Sequence, residues 1–159
     1  PLFANASTTR SLSLDLAAQL RGFEKDGQFR YSPPTHSLLA FEQALNELDS
    51  EGGVEGRALR YKRNHEVLMS GMESLGFKSY LDAKIQSYLI TSFHFPEDSK
   101  FTFDVFYRKL SDRGMIIYPG KISQVDLFRI GSIGRIFESD VLALVASIKG
   151  ALEDMNVSM

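Results

Sequence analysis

The segment Phe128-Arg129-Ile130-Gly131-Ser132-Ile133-Gly134 sets one arginine inside an apolar run, with two glycines three residues apart behind it. Tyr118-Pro119-Gly120-Lys121 stands just ahead of it in the chain. Successive strand residues point to opposite faces, so a strand here sends Arg129 away from its neighbours Phe128 and Ile130. An arginine on a rigid strand end suits a planar or tetrahedral anion, because its forked N–H donors bind oxygens in pairs. The plain alternative is a solvated strand arginine or a structural ion pair. Spacing alone favours the plain alternative, and only the rest of the chain tips the reading toward an anion clamp.

Working outward, the apolar period changes several times. Ser7 to Ser11 is polar, and Leu12, Leu14 and Leu16 alternate with Ser13 and Asp15, as a short strand or the entry to a helix through Phe23. Lys25-Asp26-Gly27 reads as a turn, and Ser32-Pro33-Pro34-Thr35 as a stiff extended break. A helix is expected next, with Leu38, Leu39, Phe41, Ala44, Leu45 and Leu48 on one stripe. Glu51-Gly52-Gly53 interrupts it. A longer helix runs from about Val54 to Leu75, with Gly76 placed to cap its end.

Beyond Gly76 the β-branched and aromatic run Tyr88 to Phe95 predicts a strand closed by Pro96. Phe101 to Asp112 has helical spacing, with Gly114 as the stop. Met115 to Tyr118 and Leu127 to Ile130 are expected strands, and Ser139-Asp140 opens a last helix. The order predicts an α/β (α+β) fold, with helices packed on one face of a small, mostly antiparallel sheet.

At 159 residues the chain can bury about 70% of its unfolded surface in one sizeable core. Its 43% hydrophobic and 24% charged residues are those of an ordinary soluble protein. A net charge of -2 argues against a nucleic-acid surface, and no apolar run approaches the roughly 20 residues of a membrane span. The basic cluster Arg57, Arg60, Lys62 and Arg63 is interleaved with Glu55 and Glu66 and reads as a solvated helix face. The lack of cysteine excludes disulfides and thiolate chemistry, and fits a reducing compartment, so a cytoplasmic location is expected. A chain opening on Pro1-Leu2-Phe3, with neither an initiator methionine nor a signal-peptide layout, is expected to be a piece of a longer protein.

No complete catalytic apparatus is visible. His36, His65 and His94 lack paired metal-ligand spacing, so no metal is expected and each reads as a surface or packed histidine. Neither a phosphate loop nor a nucleophile elbow occurs, and Gly131 and Gly134 read as turn glycines close to another backbone. What remains is a set of anion-binding groups: Arg129, Lys121 and the hydroxyls of Ser32 and Thr35.

Several segments together resemble one family. They are Arg10 to Leu16, Ser32-Pro33-Pro34-Thr35-His36, the Leu45 to Tyr61 stretch, Ile117 to Lys121, and Phe128 to Gly131. In that order they are similar to the 2-aminoethylphosphonate:pyruvate aminotransferases, class V enzymes of the aspartate-aminotransferase fold. The resemblance implies a pyridoxal 5'-phosphate enzyme that moves an amino group from a small-molecule amine donor to pyruvate, giving phosphonoacetaldehyde and alanine. It implies a homodimer in which Ser32 reaches the cofactor phosphate of the partner subunit, with Thr35 and Tyr31 beside that contact. Arg129 matches the family arginine that binds the acidic end of the substrate.

No lysine here matches the family's cofactor-bearing lysine, so no catalytic residue is assigned. Residues 1–30 are then expected to end the large cofactor-binding domain, and 31–159 to form the connecting helix and small domain. An alanine–glyoxylate or serine–pyruvate type of enzyme remains open, because a carboxylate satisfies Arg129 as a phosphonate does. A folded but non-catalytic fragment is the third reading.

Overall fold

A computed structural model of the protein describes residues 10–120 and 125–159. The chain divides into two compact units, Pro1–Asp49 and Ser50–Met159.

In the first unit, helix α1 (Leu16–Asp26) starts on Asp15, whose carboxylate accepts the Ala18 amide at 2.8 Å. It ends on Gly27 in the left-handed conformation, φ +72°, whose amide returns to the Phe23 carbonyl. The ambiguous Leu12–Leu16 alternation is thus a helix entry. Helix α2 (Thr35–Ser50) begins directly after Pro33-Pro34. The expected stripe is helical, but no α2 residue is buried, and Leu38, Leu39, Phe41 and Leu45 are all exposed.

The second unit carries the core. Helix α3 (Gly53–Ser74) follows the Gly52-Gly53 break, and Gly76 at φ +93° turns the chain out of its C-terminus. Strand β1 (Ile90–His94) is shorter than the expected run from Tyr88 to Phe95. Helix α4 (Phe103–Ser111) lies inside its expected bounds. Strand β2 (Tyr118–Pro119) is two residues long. The expected strand over Met115–Ile117 is absent. Met115 instead returns its amide to the Leu110 carbonyl at the end of α4, and Ile117 buries its side chain in the core. Strand β3 (Leu127–Gly131) is followed by helix α5 (Glu138–Met155), where Asp140 accepts the Phe137 amide at 2.8 Å.

The sheet has the order β1-β3-β2, with both pairs antiparallel. Alternation along the strands separates its faces. Thr91, Phe93, Phe128 and Ile130 are buried on one side and join a core with Leu68 and Met72 of α3, Phe106 and Leu110 of α4, and Val141, Ile148 and Leu152 of α5. Phe128 is the hub. Its ring meets Phe77 at 5.4 Å and Phe106 at 5.5 Å, both edge to face, an arrangement that suits the aromatic quadrupole. The other sheet face, with Ile90, Ser92, Tyr118 and Arg129, stays partly or fully open.

Candidate anion-binding site

Arg129 sits in the middle of that open face. The register places Ser92 on one side of it and Tyr118 on the other, and side chains of directly opposed residues share a face. Packing of Phe128 and Ile130 into the core fixes which way Arg129 points. Its Nε donates to the Pro119 carbonyl at 3.2 Å. Its two terminal nitrogens donate to no group among the described residues, and no carboxylate lies within ion-pair distance there. A half-buried guanidinium whose terminal nitrogens are unspent among the described residues has the donors to take an anion.

The contrast is with Arg60, whose helical spacing among charges suggests solvent but whose surroundings are protein. Glu51 bridges Arg60 and Arg57, the latter at 2.8 Å, and Arg60 also donates to the carbonyls of Gly134 and Ile136 at 2.8 and 2.9 Å. The rings of Tyr61 and Phe137 lie 5.0 and 5.3 Å from its guanidinium carbon. Buried Asn64 adds a 2.7 Å bond to the Ile136 carbonyl, and Arg63 pairs with Glu138. The basic cluster is therefore a clamp between α3 and the 134–138 segment, and only Lys62, loosely paired with Glu66, behaves as expected. Hydrogen bonds from Arg60 first, and Arg57 second, hold the Glu51 carboxyl down at about 2. Helical spacing placed these cations on one side of α3, but nothing in it pointed to carbonyls more than seventy residues away.

Ser32 and Thr35 belong to the first unit, separated by the two prolines, and both are exposed. Neither hydroxyl has a partner among the described residues. The Thr35 amide returns to the Pro33 carbonyl and the Leu38 amide to that of Pro34, while those of His36 and Ser37 find no backbone acceptor there. Both hydroxyls lie at the start of the 16-residue helix α2, whose first amides are the kind of donor that takes an anion. Tyr31 carries Arg30 against its ring at 5.4 Å. Lys121 lies outside the described residues.

The histidines are dispersed. His36 is exposed, while His65 is buried with Nδ1 3.3 Å from the Thr91 hydroxyl. Desolvation holds the His65 pKa below its ordinary value. His94 is half-buried with its ring against Tyr80. Among the described residues no group of three or more histidines and carboxylates could hold a metal, and no helix is long and apolar enough to cross a membrane. A cleft of about 580 Å³ opens beside His94, but its walls mix Lys78 with Glu97, Asp98 and Asp126 and select no ligand charge.

The fold is that of the aminotransferases. Alanine–glyoxylate aminotransferase from a Nostoc species superimposes with a TM-score of 0.73 at 20% identity, covering 91% of this chain and 39% of that one. The PLP-bound phosphoserine aminotransferase of Trichomonas vaginalis matches with a TM-score of 0.65 at 19% identity, over 84% of this chain and 38% of that one. In sequence, the chain is 49% identical over 152 residues to the 2-aminoethylphosphonate–pyruvate transaminase of Salmonella paratyphi B, which takes in 95% of this chain. The chain spans 41% of the length of that relative. No family model matches it.

Proposed function

We propose that this chain is the substrate-anchoring part of a pyridoxal-phosphate aminotransferase that passes the amino group of 2-aminoethylphosphonate to pyruvate, forming phosphonoacetaldehyde and alanine. The carrying observation is Arg129, a cation on a rigid strand with its fork unspent among the described residues, in a chain 49% identical to a transaminase of that name. Arg129 takes two oxygens of the phosphonate in paired hydrogen bonds and so orients the amine at the far end of the substrate. Bound cofactor supplies the electron sink for the amino transfer. Ser32 and Thr35 hold its phosphate from the partner subunit of a homodimer, for which hydroxyls with no partner among the described residues are chemically suited. Residues 1–30 then belong to the large domain and 31–159 to the connecting helix and small domain, in a cytoplasmic enzyme. No lysine of this chain is assigned to carry the cofactor, so the chain alone is expected to be inactive.

In the complete enzyme, Arg129→Ala should cost about 2–4 kcal/mol in kcat/KM for 2-aminoethylphosphonate, the scale of a lost charge-assisted pair. A loss below about threefold would remove Arg129 from substrate binding. The carboxylate-handling alternative makes a different prediction. Profiling of amine donors separates the two, since activity with alanine and none with 2-aminoethylphosphonate would favour an alanine–glyoxylate type of enzyme.

A further inference from the structure

The Tyr118-Pro119-Gly120 motif has no part in the chemistry above, yet it touches Arg129 directly. We propose that Pro119 and Gly120 are positioning residues that aim the Arg129 fork, the glycine by its lack of a side chain and the proline through its carbonyl. The inference rests on the reading of Arg129 as the anion clamp.

Gly120 approaches β3 closely, its amide donating to the Leu127 carbonyl at 2.7 Å. A Cβ on Gly120 would stand 2.5 Å from that carbonyl oxygen and 2.7 Å from the Leu127 Cβ. Its φ is not in the left-handed region, so space alone demands glycine here. Strand β2 is two residues long at the sheet edge, and few other contacts hold it against β3. Pro119 has no amide to donate, which an edge strand tolerates, and its ring restricts the backbone that carries the carbonyl accepting from Arg129 Nε. With Nε occupied, the side chain loses its freedom to swing while both terminal nitrogens stay unspent among the described residues. Any side chain at position 120 pushes β2 outward and withdraws that carbonyl. Tyr118, opposite Arg129, and Pro119, opposite Phe128, are both exposed at the sheet edge, so β2 can shift outward without displacing a buried side chain of its own.

The test is a double-mutant cycle in the complete, cofactor-loaded enzyme, reading KM and kcat for 2-aminoethylphosphonate. Gly120→Ala should raise KM roughly tenfold, with a smaller fall in kcat. Placed on Arg129→Ala, it should add almost nothing, because its target is gone. Pro119→Gly keeps the carbonyl, frees its orientation and spares the tight contact, and should raise KM about threefold with the same loss of effect in the Arg129→Ala background. That second variant carries the test should Gly120→Ala fail to fold. An unchanged KM in the single variants, or an equal penalty with and without Arg129, overturns the positioning role. If Arg129→Ala itself leaves KM unchanged, the clamp reading fails first, and that outcome is distinct from the other two.

Discussion

Arg129 and Arg60 are both arginines flanked by apolar or aromatic neighbours, and they have opposite fates. What separates them is supply of acceptors. Among the described residues Arg60 meets a carboxylate and two carbonyls, and Arg129 meets one carbonyl. The Glu51 end of the Arg60 clamp gives a pH-dependent handle. Its folded pKa of about 2 lies below the ordinary 4.5, so between these values the unfolded chain binds more protons than the folded one. Stability from this group is fully present above about pH 4.5 and is lost as pH falls toward 2. Glu51→Gln should therefore lower stability at neutral pH and flatten its fall between those two values, as followed by urea midpoints across the range. An unchanged slope would mean that the clamp does not govern acid stability. Arg129 was legible in the sequence because strand alternation reports direction. The Arg60 clamp was not, because its carbonyl acceptors arrive from the distant 134–136 segment.

At the scale of elements, α3 and α5 approach closely where Gly71 faces Val145. A Cβ on Gly71 would stand 2.6 Å from one Val145 methyl and 3.0 Å from the other. Two effects compete in Gly71→Ala. Helix propensity favours alanine by about 1 kcal/mol, and overpacking against a stiff β-branched side chain costs about 1–3 kcal/mol. Overpacking should win, giving a lower thermal midpoint than the parent. In a Val145→Ala background the obstruction is gone, and the same change should become neutral or stabilising by up to about 1 kcal/mol. A midpoint that falls equally in both backgrounds would show that the helices do not meet through this pair.

Helix periods made α2, α3, α4 and α5 readable, since each carries a one-sided apolar stripe. Period gives a face but not what covers it, so α2 was found as a helix whose stripe is exposed. Strand β2 was misplaced for a related reason. Met115-Ile116-Ile117 has the composition of a strand, yet its pairing goes to Tyr118-Pro119, where Gly120 lets the backbones close.

Across the whole molecule, burial is very unequal between the two units. Of the buried hydrophobic residues among those described, only Ala17 lies in the first, while Phe93, Phe106, Phe128, Leu68, Met72 and Ile148 are among those in the second. An element that buries little apolar surface cannot offset the roughly 1–2 kcal/mol per residue of lost backbone entropy, and helices of this length are marginal alone in water. The clamp partners Glu51 and Arg60 both fall on the C-terminal side of the division, so removal of residues 1–49 leaves them intact. Residues 50–159 expressed alone should unfold cooperatively, with a thermal midpoint within about 5 °C of the full chain, a difference of the order of 1 kcal/mol. The shortened chain also loses the exposed Leu38, Leu39, Phe41 and Leu45, and should scatter less light at equal concentration. Residues 1–49 alone should give the circular dichroism of a frayed, largely unfolded peptide. A midpoint lowered by more than about 15 °C on truncation would overturn this division, because it would require the first unit to supply several kcal/mol to the core of the second.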